Sequence, residues 1–203
     1  MKNSLFILLA LTLFPAYVFA VDGVVLINQS TVNAAGGFPY SITAPGSYKL
    51  SGNLTPPSST GAIQISSDDV TLDLAGFAIV GNVGAFDLTP GITDAGQRKR
   101  IVIRNGFIRG FHNGILLTNS SRVLIEQMNV NSCVTSACFF SFSITVGQVA
   151  LPANSIVRDN ITDGLIQASC PTVVTSNVAF TFDFTSNSPF PCSFSNNIQA
   201  SAP

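Results

Sequence analysis

The sequence predicts an all-β solenoid, a parallel β-helix, and three observations lead there. First, the region 68–131 repeats itself. SDDVTLDLAGFAIVG, RKRIVIRNGFIRGF and SSRVLIEQMNVNS each open on a polar turn, alternate apolar with polar residues, and break on Gly or Asn before a second apolar pair. Second, aligning the three lines stacks like on like: Val70 over Ile101 over Val123, and Leu72 over Ile103 over Ile125. A unit this short cannot bury its own apolar face and must stack on its neighbours. Third, the alternation has a period of two and is rich in β-branched residues, which marks strands. The 22 residues from Ile101 to Val123 suit one turn of a three-sided coil with strands of about five residues and short corners.

In chain order, residues 1–20 read as a secretory signal peptide. Lys2 precedes the apolar run Leu5–Phe14, Pro15 breaks it, and Val18 and Ala20 occupy the −3 and −1 positions of a cleavage site. The apolar run is short for a bilayer span, and nothing later reaches that length. A mature chain beginning near Val21 is therefore expected to be secreted, periplasmic or at the cell surface, without a transmembrane segment. Residues 21–45 read as a strand and cap region covering the open end of the stack, and 46–203 as the β-helix with a closing segment.

Within the helix, Gly- and turn-rich 82–97 reads as a loop projecting from one corner. Ile115 and Leu117 are expected in an inward strand on another side of the coil. A second long loop spans 133–152, and its apolar run CFFSFSITV is a candidate strand or a cover for one face. Phe139, Phe140 and Phe142 are expected to fill the interior or shield an end, with stacking on sugar rings as the alternative. ANSIVRDNITDGLIQAS and PTVVTSNVAFTFDF read as the last coils. The Pro-, Ser- and Asn-rich end is a closing segment pinned by Cys192.

Cys133, Cys138, Cys170 and Cys192 make an even set behind an export signal, which reads as two disulfides rather than a metal site. Three connectivities are possible. Cys170–Cys192 with Cys133–Cys138 is favoured because each pair brackets one local loop.

Charge is scarce. Nine basic and ten acidic residues make up 9% of the chain, with a net charge of −1 and no basic stripe, which argues against a nucleic-acid partner. The charges that exist fall into register. Asp73, Arg104 and Glu126 form a column, continued by Arg158 and Thr175, with about 4.8 Å between turns. Such a column is a ladder of cross-coil ion pairs that penalises register slips, or a binding row for an anionic or hydroxyl-rich glycan. Asn105, Asn160 and Asn177 are expected near one corner, where Asn tolerates left-handed backbone and its amide bonds to the copy above. Sequons occur at Asn28, Asn53, Asn119 and Asn160.

The phrases VTLDLAGFAI, IVIRNGFIRGFHNGILL, SRVLIEQMNV and SIVRDNITDG, with the ending CPTVVTSNVAF…CSFSNN, resemble coils of secreted right-handed parallel β-helix proteins of the pectin-lyase-like superfamily. The resemblance covers most of residues 40–197. It implies a single right-handed parallel β-helix of roughly six coils with projecting loops. It does not fix an activity, because one fold serves many. The polygalacturonase motifs Asn-Thr-Asp, Gly-His-Gly and Arg-Ile-Lys are absent, and His112-Asn113-Gly114 is a partial echo of the second.

Hydrolysis needs two carboxylates flanking a bond, but adjacent Asp68 and Asp69 on a strand lead-in are expected to face opposite ways. Lyase chemistry with calcium needs clustered oxygen ligands, and Asp159 with Asp163 beside Arg158 is the only close acidic pair with a basic neighbour. Acid–base chemistry without metal falls to His112, the sole histidine, expected near Arg104, Arg109 and Glu126 on stacked coils.

The leading expectation is a non-catalytic β-helix, without cofactor, that presents an elongated polar face to a polysaccharide or cell-surface glycan through Asp73, Arg104, Glu126 and Arg158. The alternative is a polysaccharide lyase or other carbohydrate-active enzyme using Arg104, Arg109, His112 and Glu126, with Ca2+ needed only in that case. A second alternative is a subunit of a surface assembly whose open coil ends stack.

Overall fold

The computed structural model describes residues 23–82, 87–131, 142–147, 154–185 and 192–200. The expected signal peptide, the proposed Cys133–Cys138 pair and the side chains of Phe139, Phe140 and Phe142 lie outside what is described.

The chain winds as a parallel β-helix with three faces. Its first turn holds β1 (Val24–Ile27), helix α1 (Gln29–Ala34) and β2 (Tyr40–Ile42). The second holds β3 (Gly46–Leu50) and β4 (Ile63–Ile65). The third holds β5 (Val70–Asp73), β6 (Ala78–Val80) and β7 (Pro90–Asp94). In the fourth, β8 (Lys99–Arg109) bends over two faces before β9 (Asn113–Leu117). The fifth repeats this with β10 (Ser121–Asn131) and β11 (Phe142–Val146). Two compact turns follow: β12 (Ser155–Arg158), β13 (Ile161–Thr162), β14 (Leu165–Ser169), then β15 (Thr172–Thr175), β16 (Val178–Ala179), β17 (Thr181–Thr185). An eighth turn begins with β18 (Ser193–Ser195) and β19 (Ile198–Gln199).

The first face runs β1-β3-β5-β8-β10-β12-β15-β18, and the third β2-β4-β7-β9-β11-β14-β17. The second is built from β6, the ends of β8 and β10, β13, β16 and β19. Every pairing between these strands is parallel, and the first face keeps the register of the sequence repeat: Val70 with Ile101 with Val123, Leu72 with Ile103 with Ile125.

The stack is longer than the six coils expected because each end adds a turn. Residues 21–45 do not merely cap the helix, because β1 pairs with β3 and β2 with β4 as a genuine first turn. Residues 82–97 do not all project as a loop either: β7 pairs with β4 and β9, and Ile92 is fully buried. The Gly- and Pro-rich flanks disguised this short strand, whose single apolar anchor gives too little alternation to read. The end of the chain likewise continues the stack instead of only closing it.

The interior is filled mainly by aliphatic columns. Leu72, Ile103, Ile125, Val157 and Val174 climb the first face, and Ile63, Ile92, Ile115, Ile144 and Ile166 the third, each at most 1% exposed. Helix α1 covers the start of the second face. Its Val32 is fully buried, Asn28 and Thr31 form a capping box, and Gln29 Oε1 accepts the Thr55 N–H at 3.1 Å. In the turn before it this face is helical and offers no strand, so the side chain takes the place of a missing strand. At the other end, Phe182, Phe184 and Phe194 pack with ring centroids 5.1–6.5 Å apart and close the column. The Cys170–Cys192 disulfide ties that last turn to the one before it, as expected.

Candidate functional site

The corners decide which side chains meet. After the first face, the chain turns through a left-handed residue in every turn from the third onward: Ala75, Asn105, Gln127, Asp159, Ser176 and Asn196, with φ between 52° and 62°. The next position points inward. There Asn160, Asn177 and Asn197 form the ladder, each Oδ1 accepting a backbone N–H from the turn before: Asn160 accepts from Met128, Asn177 from Asn160, and Asn197 from Asn177. Asn105 is not part of it. It sits one residue earlier, on the outside, and donates to Asp73 Oδ1 at 3.2 Å. Sequence alignment by eye merges the two positions, because Asn suits both a left-handed corner and an inward amide stack. Asn197 completes the ladder, and it holds the same place in SFSNN as Asn177 does in VTSNV.

The ladder also separates the sequons. Asn160 is fully buried and bonded on every side, so it is closed to a glycan in the folded chain. Asn28 caps α1, and Asn53 Oδ1 accepts the Ala78 N–H.

On the outside of the first face the expected column is present. Asp73 lies against Arg104, Arg104 against Glu126, Glu126 against Arg158, and Arg158 against Thr175, with Lys49 preceding Asp73. Contacts join neighbouring members two by two. Arg104 Nε lies 3.2 Å from Asp73 Oδ2, and Arg158 reaches Glu126 Oε2 with Nη2 at 2.6 Å and Nε at 2.9 Å. Both arginines are nearly half exposed, so solvent screening leaves little net stabilisation and the pairs act mainly to fix register. Beside this column runs an apolar one, Val102, Leu124, Ile156 and Val173, of which Ile156 is 41% and Val173 39% exposed. A shallow cavity of about 280 Å³ opens there, lined by Asn154, Ile156, Pro171 and Val173.

The lyase candidates are not gathered. Arg104 and Glu126 are register partners on the first face, whereas Arg109 closes β8 on the second face and His112 lies past it, at the corner leading to β9. The left-handed corner at Asn105 turns the chain between them, which a linear motif does not reveal. His112 Nδ1 is buried without a hydrogen-bond partner among the described residues. Asp68 and Asp69 do not face opposite ways. Asp69 has φ 56°, which ends the strand rule, and both carboxylates meet Arg100: Asp69 Oδ2 at 2.7 Å from Nη2, Asp68 Oδ2 at 3.8 Å. Asp159 is a corner residue 3.9 Å from Arg158. Among the described residues, no three His, Cys, Asp or Glu side chains gather as a metal ion requires, and no helix is long and apolar enough to cross a membrane.

Three carboxyls are held away from their ordinary range. The Arg100 hydrogen bond lowers Asp69, hydrogen bonds from Ser59 and Thr89 lower Asp87, and burial raises Asp94. Asp94 stands opposite Ile65 at an inward position, its Oδ2 accepting from Asn119 N and Ser120 Oγ. The signs differ. Asp69 and Asp87 stabilise the fold above the ordinary aspartate range, and that stability is lost as pH falls through their depressed values. Asp94 favours its protonated form, so its contribution is present below the ordinary range and lost as pH rises through its raised value. Asp94→Asn keeps an acceptor for both donors, so its melting temperature relative to the parent should rise from pH 3 to pH 7. A constant difference across that range would contradict the assignment.

No protein-family model, curated protein or solved structure matches this chain.

Proposed function

We propose that the protein is a secreted, non-catalytic binding module of the pectin-lyase-like kind, whose first face holds an extended glycan. The observation that carries this reading is the pairing of two unbroken outer columns. One is charged and hydroxylic from Lys49 to Ser195, the other apolar from Val102 to Val173. A pyranose chain presents the same two characters, apolar ring faces and a fringe of hydroxyls. Parallel stacking repeats each column about every 4.8 Å, so a linear polymer meets equivalent groups turn after turn. Apolar side chains in a continuous outward row, two of them exposed, on an otherwise polar strip mark a contact surface. The disulfide between Cys170 and Cys192 suits an oxidising compartment.

Ile156→Asp with Val173→Asp alters only outward side chains, so the fold is retained. On an array of neutral and anionic polysaccharides, the parent is expected to bind at least one class. The double variant should bind that class about tenfold more weakly or worse, a loss of roughly 1.4 kcal/mol. Undiminished binding by the double variant would place the ligand elsewhere. New ultraviolet absorbance from uronate polymers, or release of reducing sugar, would show turnover and overturn the non-catalytic reading.

A further inference from the structure

A second set of left-handed corners, leading into the first face, concentrates the chain's positive charge. Asp69, Arg100, Arg122 and Asn154 occupy it in successive turns, with φ of 56°, 61°, 57° and 43°. Arg100 is answered by Asp69 and Asp68 from the turn before. Arg122, one turn on, is followed by Asn154, and it makes no ion pair among the described residues. Beside it a cavity of about 260 Å³ is lined by Gln97, Arg98, Lys99, Asn119, Arg122 and Asn154. Arg98 and Lys99 also make no ion pair among the described residues. Three of the nine basic residues therefore line one small cavity together with three side-chain amides.

The local carboxylates are occupied. Asp68 Oδ1 accepts the Lys99 N–H at 3.0 Å, and Asp94 is turned to Asn119 N and Ser120 Oγ. The Arg98 Nε–H is held by the Ala95 carbonyl at 2.9 Å, which anchors that guanidinium at the cavity wall. Counting Arg100 with the three lining cations against Asp68, Asp69 and Asp94 leaves the corner with a surplus of one positive charge.

We propose that this corner cavity is an oxyanion site, which takes a sulfate or phosphate group between Arg98, Lys99 and Arg122. A planar carboxylate is matched by one arginine in a two-bond fork. Cations from two successive turns, with amides between them, suit an anion whose oxygens point in several directions. The cavity adjoins the first-face cavity through Asn154, but it shares no residue with the apolar and charged columns and does not depend on their binding a glycan.

The test uses the full chain and inorganic sulfate and phosphate as probes, titrated at constant ionic strength against chloride while backbone amide shifts are followed. Saturable shifts centred on Asn119, Ser121 and Arg122 are expected. Lys99→Gln with Arg122→Gln should weaken them about tenfold or more, whereas Arg109→Gln, on another face, should leave them unchanged. Shifts that grow without saturating, or an equal loss in Arg109→Gln, would overturn the proposal. Comparing a sulfated or phosphorylated saccharide with the free ion then identifies the source. Tighter binding of the ester marks a polymer-borne group, and equal binding marks the free ion. Because the probe carries no sugar, failure here leaves the glycan reading intact, and failure on the glycan array leaves this site intact.

Discussion

Replacing Asn177 by Ala should cost about 4 kcal/mol of stability, more than any surface substitution in this chain. Its amide is fully buried. Oδ1 accepts from Asn160 N at 3.1 Å and Asn160 Nδ2 at 3.0 Å. Nδ2 donates to the Val157 carbonyl at 2.9 Å, the Thr175 carbonyl at 3.0 Å and Asn197 Oδ1 at 2.9 Å. Truncation strips one partner from groups in three consecutive turns of a buried site and leaves the Asn160 N–H without its acceptor, and each loss carries a desolvation cost. Asn177→Asp separates this from a simple cavity effect. It keeps the shape and an acceptor for Asn160, but it replaces the donors with a buried charge facing carbonyl oxygens, so it should be at least as damaging. Asn105→Ala, at the exposed corner, should cost only about 1 kcal/mol. Denaturant midpoints for the three variants check this. Equal effects for Asn105 and Asn177 would mean that the inward ladder is not what holds the corner.

Gly106→Ala should destabilise the helix by about 3 kcal/mol, at the upper end of overpacking costs. Gly106 follows the left-handed Asn105 at the corner. A Cβ there would run into Leu74 Cβ and come within 2.9 Å of both Leu74 Cδ2 and the Phe77 carbonyl oxygen. Leu74 is itself fully buried, and the Phe77 carbonyl accepts the Phe107 N–H, so neither can retreat without loosening the third and fourth turns. Position 128, the register partner of Gly106 one turn on, carries a methionine without penalty because the wide corner of Leu74–Phe77 is not repeated there. Leu74→Gly combined with Gly106→Ala should lose less than the sum of the two single losses, since it removes the Leu74 Cβ and Cδ2 that the new methyl meets. Thermal melts of the single and double variants would settle it, and purely additive losses would count against the steric account.

The first-face register was legible because alternation with a period of two, and charge at matched positions, survive in a linear string. Asp73, Arg104, Glu126 and Arg158 align by counting along the repeat. Cys170 and Cys192 bracket one turn, which sequence separation alone suggests. The corners were not legible in the same way. Whether Asn105 and Asn160 share a position, whether Asp68 and Asp69 diverge, and whether His112 approaches Glu126 all depend on one left-handed residue per corner. That single dihedral redirects everything after it. β7 was hidden for a related reason, since one buried isoleucine among Gly, Pro and Thr gains strand character only when β4 and β9 lie on either side to complete its hydrogen bonds.

What the chain determines by itself is the climb: aliphatic residues recurring inward at each turn, with ionic partners fixing which turn follows which, because burial and charge pairing act on residue type and spacing. What only the assembled structure decides is which outward groups share a surface. The amide ladder, the closing phenylalanines and the cationic corner beside Arg122 arise from turns brought together in space, and the angle at each corner is set by packing between neighbours that sequence order keeps 17 to 32 residues apart.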